Sequence, residues 1–358
     1  MERIRIGIIG TGGFANWHAE RYTAIAGVNL EACMDLDAAR ADAFAAKHGF
    51  ARAVDSVEEV LAACDAVSIT TPEASHADLV LRALAAGRHV LCEKPLTVTL
   101  DEARTVAAAA RRTGVVHMTN FSKRNAAAVV KAIELAESGA LGDIRYAHAS
   151  YFQSWVATPC WGHWTEPQWL WRLAKPASGE GGALTDIGSH MLDLLSALTG
   201  PLSSLRCSLA SMPKMLDGAP VTEFKGRHLD ANDTAIIEVR FTNPAGAPGV
   251  GVVQLTRWAT AVENQERLEV FGTRGALRLD LAANPLVLHV SLGEDAQASR
   301  WTTLELPETP DTCRRFIDAI RAHHPAACDL VRGAVVQSYL DACERAAHSG
   351  TWESPAEI

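Results

Sequence analysis

The sequence predicts an α/β domain, a parallel sheet covered by helices on both faces, followed by an α+β domain with a large open, mostly antiparallel sheet. Three observations predict it. Over the first third, short apolar runs alternate with Ala-rich amphipathic stretches, the rhythm of repeated β-α units. After about residue 122 that rhythm gives way to longer alternating runs separated by turn residues, as in a sheet with one face on helices. The length, 358 residues at 48% hydrophobic and 21% charged, suits about two domains of ordinary globular composition. A chain this long can bury a large core without disulfides or metals.

The elements follow in order. Residues 4–9, rich in Ile and ending at Gly10, read as a strand, and 14–25 as a helix. Residues 28–34 form a second strand that ends at Asp35; 38–48 form a helix stopped by Gly49. The capping-box pattern Ser56-Val57-Glu58-Glu59 opens a third helix. A strand over 65–70 runs into Thr71-Pro72, a helix over 75–86 ends at Gly87, and 88–93 is the next strand. Thr99-Leu100-Asp101-Glu102 is a second capping box, opening a helix to about residue 113, before a strand over 114–120. Domain one is thus expected over 1–122 and domain two over 123–358. The second begins with a helix over 126–137 and continues with strand runs over 144–155, 233–241, 250–258, 267–271 and 276–281. Pro244 to Gly249 is a turn, and helices over 311–322 and 329–347 close the chain.

The net charge of −9 argues against a nucleic-acid partner, which needs a basic surface, and against anionic membranes. The eight cysteines contain no C-x-x-C pair, so zinc-ribbon and dithiol readings fall away; they read as reduced, mostly buried thiols. No apolar stretch approaches the roughly 18 residues of a spanning helix. The opening run is too short and glycine-rich for a signal peptide. A cytoplasmic protein is expected.

Gly10-Thr11-Gly12-Gly13-Phe14-Ala15 follows a predicted strand and opens a predicted helix. Gly10 permits the tight turn, Gly12 lets backbone approach a pyrophosphate, and Ala15 is small enough for close helix–strand packing. The helix N-terminus offers free N–H groups to phosphate. As an isolated string this is an ordinary glycine turn; the strand before it, the helix after it and Asp35 at the end of the next strand make it a Rossmann dinucleotide-binding fingerprint. Asp35 accepts hydrogen bonds from ribose hydroxyls and repels a 2′-phosphate, which favours NAD over NADP. Arg40 keeps NADP open.

Glu93-Lys94-Pro95 ends a strand of the same domain, on the side where open α/β sheets bind ligands. The plain alternative for Lys94 is an exposed surface lysine. Farther on, the glycine-rich run Gly179 to Gly182 leads into Asp186, His190 and Asp193. Asp186 and His190 are four apart, on one helix face. Histidine takes the proton of a hydroxyl as hydride leaves, and a carboxylate orients that hydroxyl. The bland alternative is a capping aspartate beside a core histidine. A metal reading lacks further ligands at standard spacing nearby, so no metal is expected.

Together these residues, with Thr71-Pro72, His76, Gly139-Ala140-Leu141-Gly142 and the closing helix, make the sequence resemble the Gfo/Idh/MocA family of sugar and polyol oxidoreductases along nearly the whole chain. The resemblance implies cofactor contacts from Gly10, Gly12, Gly13, Phe14, Ala15, Asp35, Thr71, Pro72, His76, Glu93 and Lys94. It also implies Lys94, Asp186 and His190 as catalytic residues, and a homodimer or homotetramer. One departure is Lys123-Arg124-Asn125-Ala126, which lacks the family's Pro after Arg, so Arg124 receives no substrate role.

Residues 155–171 hold Trp155, Trp161, Trp164, Trp169 and Trp171, with His163 and Arg172 close by. Such a stretch suits a sugar ring, a subunit interface or plain core; the substrate reading enlists Trp155, His163, Trp164 and Arg172. The expected activity is NAD(P)-dependent oxidation of a secondary hydroxyl of a sugar, cyclitol or sugar derivative. Competing readings are a glycosidase using transient oxidation, a metal-dependent lyase or isomerase, and a sugar- or nucleotide-sensing relative without turnover.

Overall fold

The computed structural model describes residues 3–175, 181–243 and 246–358. The chain divides into two compact units: Met1–Ser122 with Pro310–Gln337 and Ile358, and Lys123–Thr309 with Ser338–Glu357.

In the first unit, β1 (Ile4–Ile9), α1 (Gly13–Thr23), β2 (Val28–Met34), α2 (Ala38–His48), β3 (Arg52–Ala53), α3 (Val57–Ala63), β4 (Ala66–Ile69), α4 (His76–Ala85), β5 (His89–Cys92), α5 (Leu100–Ala110) and β6 (His117–Thr119) succeed one another. The strands form one parallel sheet in the order β3-β2-β1-β4-β5-β6. Both faces are covered, so β1 and β4 read as near-continuous apolar runs rather than alternating ones. Asp37 caps α2 through the Arg40 N–H and Gly49 ends it with φ +75°. Ser56 caps α3, and Thr99 with Glu102 closes a full capping box on α5. The expected strand over 114–120 shortens to β6, and β3 is a two-residue pairing too brief to give a pattern.

The second unit contains α6 (Ala127–Glu137), β7 (Ile144–Gln153), α7 (Pro167–Leu170), α8 (Gly182–Asp186), α9 (Gly188–Thr199), β8 (Leu202–Ala210), β9 (Lys214–Leu216), β10 (Ala219–Val221), β11 (Glu223–Phe224), β12 (Arg227–His228), β13 (Thr234–Thr242), β14 (Pro248–Thr256), β15 (Asn264–Gly272), β16 (Gly275–Asp280), β17 (Val287–Leu292), α10 (Glu294–Gln297) and β18 (Thr302–Glu305). Eight strands make an open sheet in the order β18-β17-β16-β15-β7-β14-β13-β8. Only the β7–β14 pairing in it is parallel. Alternation is strict in β13, where Ala235, Ile237, Val239 and Phe241 are buried and Ile236, Glu238 and Arg240 exposed. The buried face packs against α9, which lies across β7 and β14. In the expected turn over 244–249, Pro244 and Ala245 lie outside the described residues.

The closing helices α11 (Thr312–Ala322) and α12 (Leu330–Ser349) correct the expectation of one continuous second domain. Cys313, Phe316, Ile317 and Ile320 of α11 join Ala15, Ala19 and Tyr22 of α1 in one core cluster, while Leu330 and Ala334 join the cluster on the other face of the parallel sheet. The chain therefore returns to the first unit, where the apolar stripe of α11 packs beside α1 and the start of α12 packs on the opposite sheet face.

Candidate active site

The strand order of the parallel sheet reverses between β1 and β4, which is where ligands of open α/β sheets bind, outside the strand carboxyl ends. The glycine-rich turn lies there. Gly10 has φ +88°, and a Cβ on it would stand 2.7 Å from Thr71 Cγ2; only glycine fits. A Cβ on Gly12 or Gly13 would meet no protein atom within 4 Å. Gly12 precedes α1 and no side chain caps the helix, so its first N–H groups are left for a phosphate. Phe14 is exposed, stacked on Trp17 at 5.6 Å, and Ala15 is buried. These residues fit a dinucleotide.

Asp35 follows β2. Its carboxylate accepts from Thr11 N at 2.7 Å and from Thr11 Oγ1 at 2.9 Å, and pairs with both Nε and Nη2 of Arg40. Burial by itself raises its pKa; the Arg40 guanidinium and the N–H groups of Thr11 and Asp37 outweigh that and hold it well below the usual carboxylate range. Arg40, the residue that left NADP open, is thus committed to Asp35.

Glu93, Lys94 and Pro95 follow β5, with a cis Lys94–Pro95 bond. Glu93 is buried, bonded to His18 Nε2 at 2.9 Å and Asn120 Nδ2 at 2.5 Å, and accepts from Lys94 N at 3.3 Å. Burial opposes its charge, but the His18 and Asn120 contacts prevail and lower its pKa. Lys94 is half-buried at the end of this network. His76 is buried, with Nδ1 2.9 Å from Pro95 O and Nε2 2.8 Å from Thr71 O. Two of the residues expected as cofactor contacts, Glu93 and His76, are engaged in shaping the loops that carry Lys94 and Thr71-Pro72. The physical reason is burial, since each polar atom inside must find a protein partner.

In the second unit, Gly179 and Glu180 of the glycine-rich run lie outside the described residues. Gly182 has φ +68°, and a Cβ there would collide with Asn232 O at 2.2 Å. Asn232, just before β13, caps the short helix α8: Leu184 N donates to its Oδ1 at 2.9 Å and Ala183 N to its O at 2.8 Å. Asp186 ends α8, and His190 is buried in the first turn of α9. Asp186 Oδ2 accepts from Arg257 Nη2 at 2.8 Å, with Arg172 Nε at 3.8 Å. Burial, with the charges of Glu266 and Asp186, raises the pKa of the inward-facing Tyr151 hydroxyl. Arg124 makes a two-pronged pair with buried Asp193 at 2.8 and 3.0 Å.

The tryptophan-rich stretch is mostly core. Trp155, Val156, Trp164, Leu170, Leu173 and Leu229 form a cluster on which Trp161, Trp169 and Phe224 pack. Trp164 donates to Met215 O at 3.1 Å in the β9–β10 hairpin and stacks on His163, whose Nδ1 meets Thr165 Oγ1 at 2.8 Å. Trp164 thereby supports the small hairpins, which are invisible in the sequence pattern. Trp155 faces the Arg257 guanidinium at 5.1 Å, and Arg172 lies over Trp171 at 4.3 Å.

Arg257 and Asn232 escaped the sequence reading. A signal existed: the buried positions of β14 are 249, 251, 253 and 255, so a charged residue at 257 continues the inward parity, where an unpaired charge is costly. Among the described residues no group of three or more His, Cys, Asp or Glu is arranged to hold a metal ion, and no helix is long and apolar enough to cross a membrane.

Residues 4–121 match the model of an oxidoreductase family with an NAD-binding Rossmann fold, and residues 129–278 the Gfo/Idh/MocA C-terminal domain. The chain is 30% identical to levoglucosan dehydrogenase of Pseudarthrobacter phenanthrenivorans over 77% of its own length and 73% of that protein's. It is 28% identical to UDP-N-acetylglucosamine 3-dehydrogenase of Acidithiobacillus ferrooxidans over 93% and 94%. Among solved structures, a levoglucosan dehydrogenase in complex with NADH and levoglucosan superposes with TM-score 0.86 at 25% identity, covering 100% of both chains.

Proposed function

Because this chain belongs to the Gfo/Idh/MocA family of NAD-binding oxidoreductases, we propose that it oxidises the 3-hydroxyl of a pyranose sugar or anhydrosugar. It is an NAD-dependent dehydrogenase acting on sugar CH–OH groups. The observation that carries the finer reading is the full-length match to a protein solved with NADH and levoglucosan; a relative named as a sugar 3-dehydrogenase supports the position.

NAD, when bound, supplies the hydride acceptor. The backbone of Gly12 and Gly13 and the start of α1 hold its phosphates, Asp35 its ribose, with Phe14, Ala15, Thr71 and Pro72 around it. His190 takes the proton from the hydroxyl being oxidised and returns it in the reverse reaction. Asp186, bonded to Arg257, accepts a hydrogen bond from the sugar and orients it. Lys94 donates to the reacting oxygen and favours the negative charge that develops there. Glu93 and His76 hold the loops. Arg172, stacked on Trp171 beside Asp186, lines the sugar's side.

The same reading extends to assembly and compartment. Val250, Tyr146 and Phe271 form a cross-strand row on the open sheet face and are all exposed; a row of that kind supports a homo-oligomer joined through this face. The eight cysteines are free thiols, which supports a reducing compartment such as the cytoplasm.

The test is a near-UV assay of purified protein with NAD or NADP and a panel of levoglucosan, D-glucose, methyl glucosides, myo-inositol and aryl glycosides. NADH formation with a pyranose, and a 3-ketone by NMR, is expected. Aglycone release without net NADH, or sugar binding without redox change, would overturn the reading.

A further inference from the structure

We propose that Arg257 is a positioning residue for sugar oxidation, acting through Asp186; the inference rests on the role assigned to Asp186 above. Arg257 heads the largest fully buried side chains, at 0% exposure. Taking a guanidinium out of water is costly unless its donors are met by good acceptors. Three are in place for the two terminal nitrogens, Asp186 Oδ2 at 2.8 Å and Gly182 O at 3.2 Å from Nη2, and Arg172 O at 3.2 Å from Nη1, while Nε has none. The Trp155 ring lies against the cation at 5.1 Å, a contact that strengthens where water is excluded. The backbone is anchored too, Arg257 N donating to Asp233 O at 2.9 Å.

The acceptors explain why a planar fork stands here. Gly182 begins α8 and Asp186 ends it. A helix of five residues has too few internal bonds to fix its own last side chain. One cation that grips the first carbonyl and the last carboxylate fixes both ends and ties them to Arg172. An apolar residue of the same volume could fill the space, and a hydrogen-bonding strut could hold the two carbonyls. The ionic bond to Asp186 is the part that neither explains. It keeps the carboxylate aimed, so that Asp186 acts as an acceptor while His190, in the first turn of α9, handles the proton. Lysine carries the charge but lacks the fork.

The test is a double-mutant cycle on the full chain: wild type, Asp186→Asn, Arg257→Met and the double variant, with Arg257→Lys alongside and the panel sugar of highest turnover as probe. Readouts are kcat and KM, NADH affinity by fluorescence, and calorimetric binding of the sugar to the NADH-loaded protein. NADH affinity is expected to stay unchanged throughout. Asp186→Asn and Arg257→Met are each expected to lower kcat/KM by about 10- to 100-fold, with sugar binding weakened. The double variant should be within about twofold of Asp186→Asn alone, since residues that act as a unit are not additive. Arg257→Lys should retain more activity than Arg257→Met. Wild-type kcat/KM in Arg257→Met, or losses that multiply in the double variant, would overturn the proposal. If circular dichroism shows Arg257→Met unfolded, the cycle is run with Arg257→Lys and Arg257→Lys/Asp186→Asn, and the same two results overturn it. Wild-type activity in Asp186→Asn is a different failure, that of the role given to Asp186 itself.

Discussion

His190 and Lys94 carry separable parts of the proposed chemistry. Replacing a general base costs about 10²- to 10⁴-fold in rate, so His190→Ala should lose turnover on that scale while binding NADH as tightly as the wild type. Lys94→Ala should lose kcat with its melting temperature within a few degrees of the wild type. Full turnover in either variant removes that residue from the mechanism. In the proposed reading Asp35 sets cofactor choice: it repels a 2′-phosphate and also occupies Arg40. Asp35→Ser should release that guanidinium. The expected outcome is a fall in kcat/KM with NAD and a rise with NADP, read from parallel progress curves; an unchanged cofactor ratio would show that ribose recognition lies elsewhere.

At the scale of the element, α8 depends on residues far away in sequence. Its start requires the left-handed backbone of Gly182 against Asn232, and its first N–H groups are capped by Asn232. Loss of such a cap costs about 0.5–2 kcal/mol, so Asn232→Ala should melt lower and also raise the sugar KM, because Asp186 is the last residue of the helix it caps. Gly182→Ala adds a backbone clash and should be worse on both counts. The loop after β5 is built the same way, from the buried carboxylate of Glu93 between His18 and Asn120.

The buried carboxylate network gives the whole molecule a pH signature. The pKa of Glu93 is lower in the folded chain than its ordinary value. Its contribution to stability is therefore complete above about pH 4.3 and is lost as pH falls through the folded value. The gap in melting temperature between wild type and Glu93→Gln should be widest near neutrality and narrow as pH falls through the folded value; a gap that does not narrow on acidification would count against this account. Light scattering should find more than one copy per particle, and charged substitutions of Val250 and Phe271 together should dissociate it.

The sequence by itself determined the local grammar of this protein. The parallel β-α rhythm, the Ser56 cap, the Thr99–Glu102 capping box and the Gly10–Ala15 turn with Asp35 at the end of the next strand were legible, because each depends on near neighbours in the chain; Asp186 and His190, expected on one helix, fall instead on α8 and α9. Tertiary structure alone decided which unit α11 joins, how the β9–β12 hairpins fold over the tryptophan cluster, and that Arg257 and Asn232 close on α8. Asp186 and Arg257 are 71 residues apart. No local period relates them; they meet because the buried Arg257 cation needs an acceptor in place of water and the Asp186 carboxylate at the end of α8 supplies one.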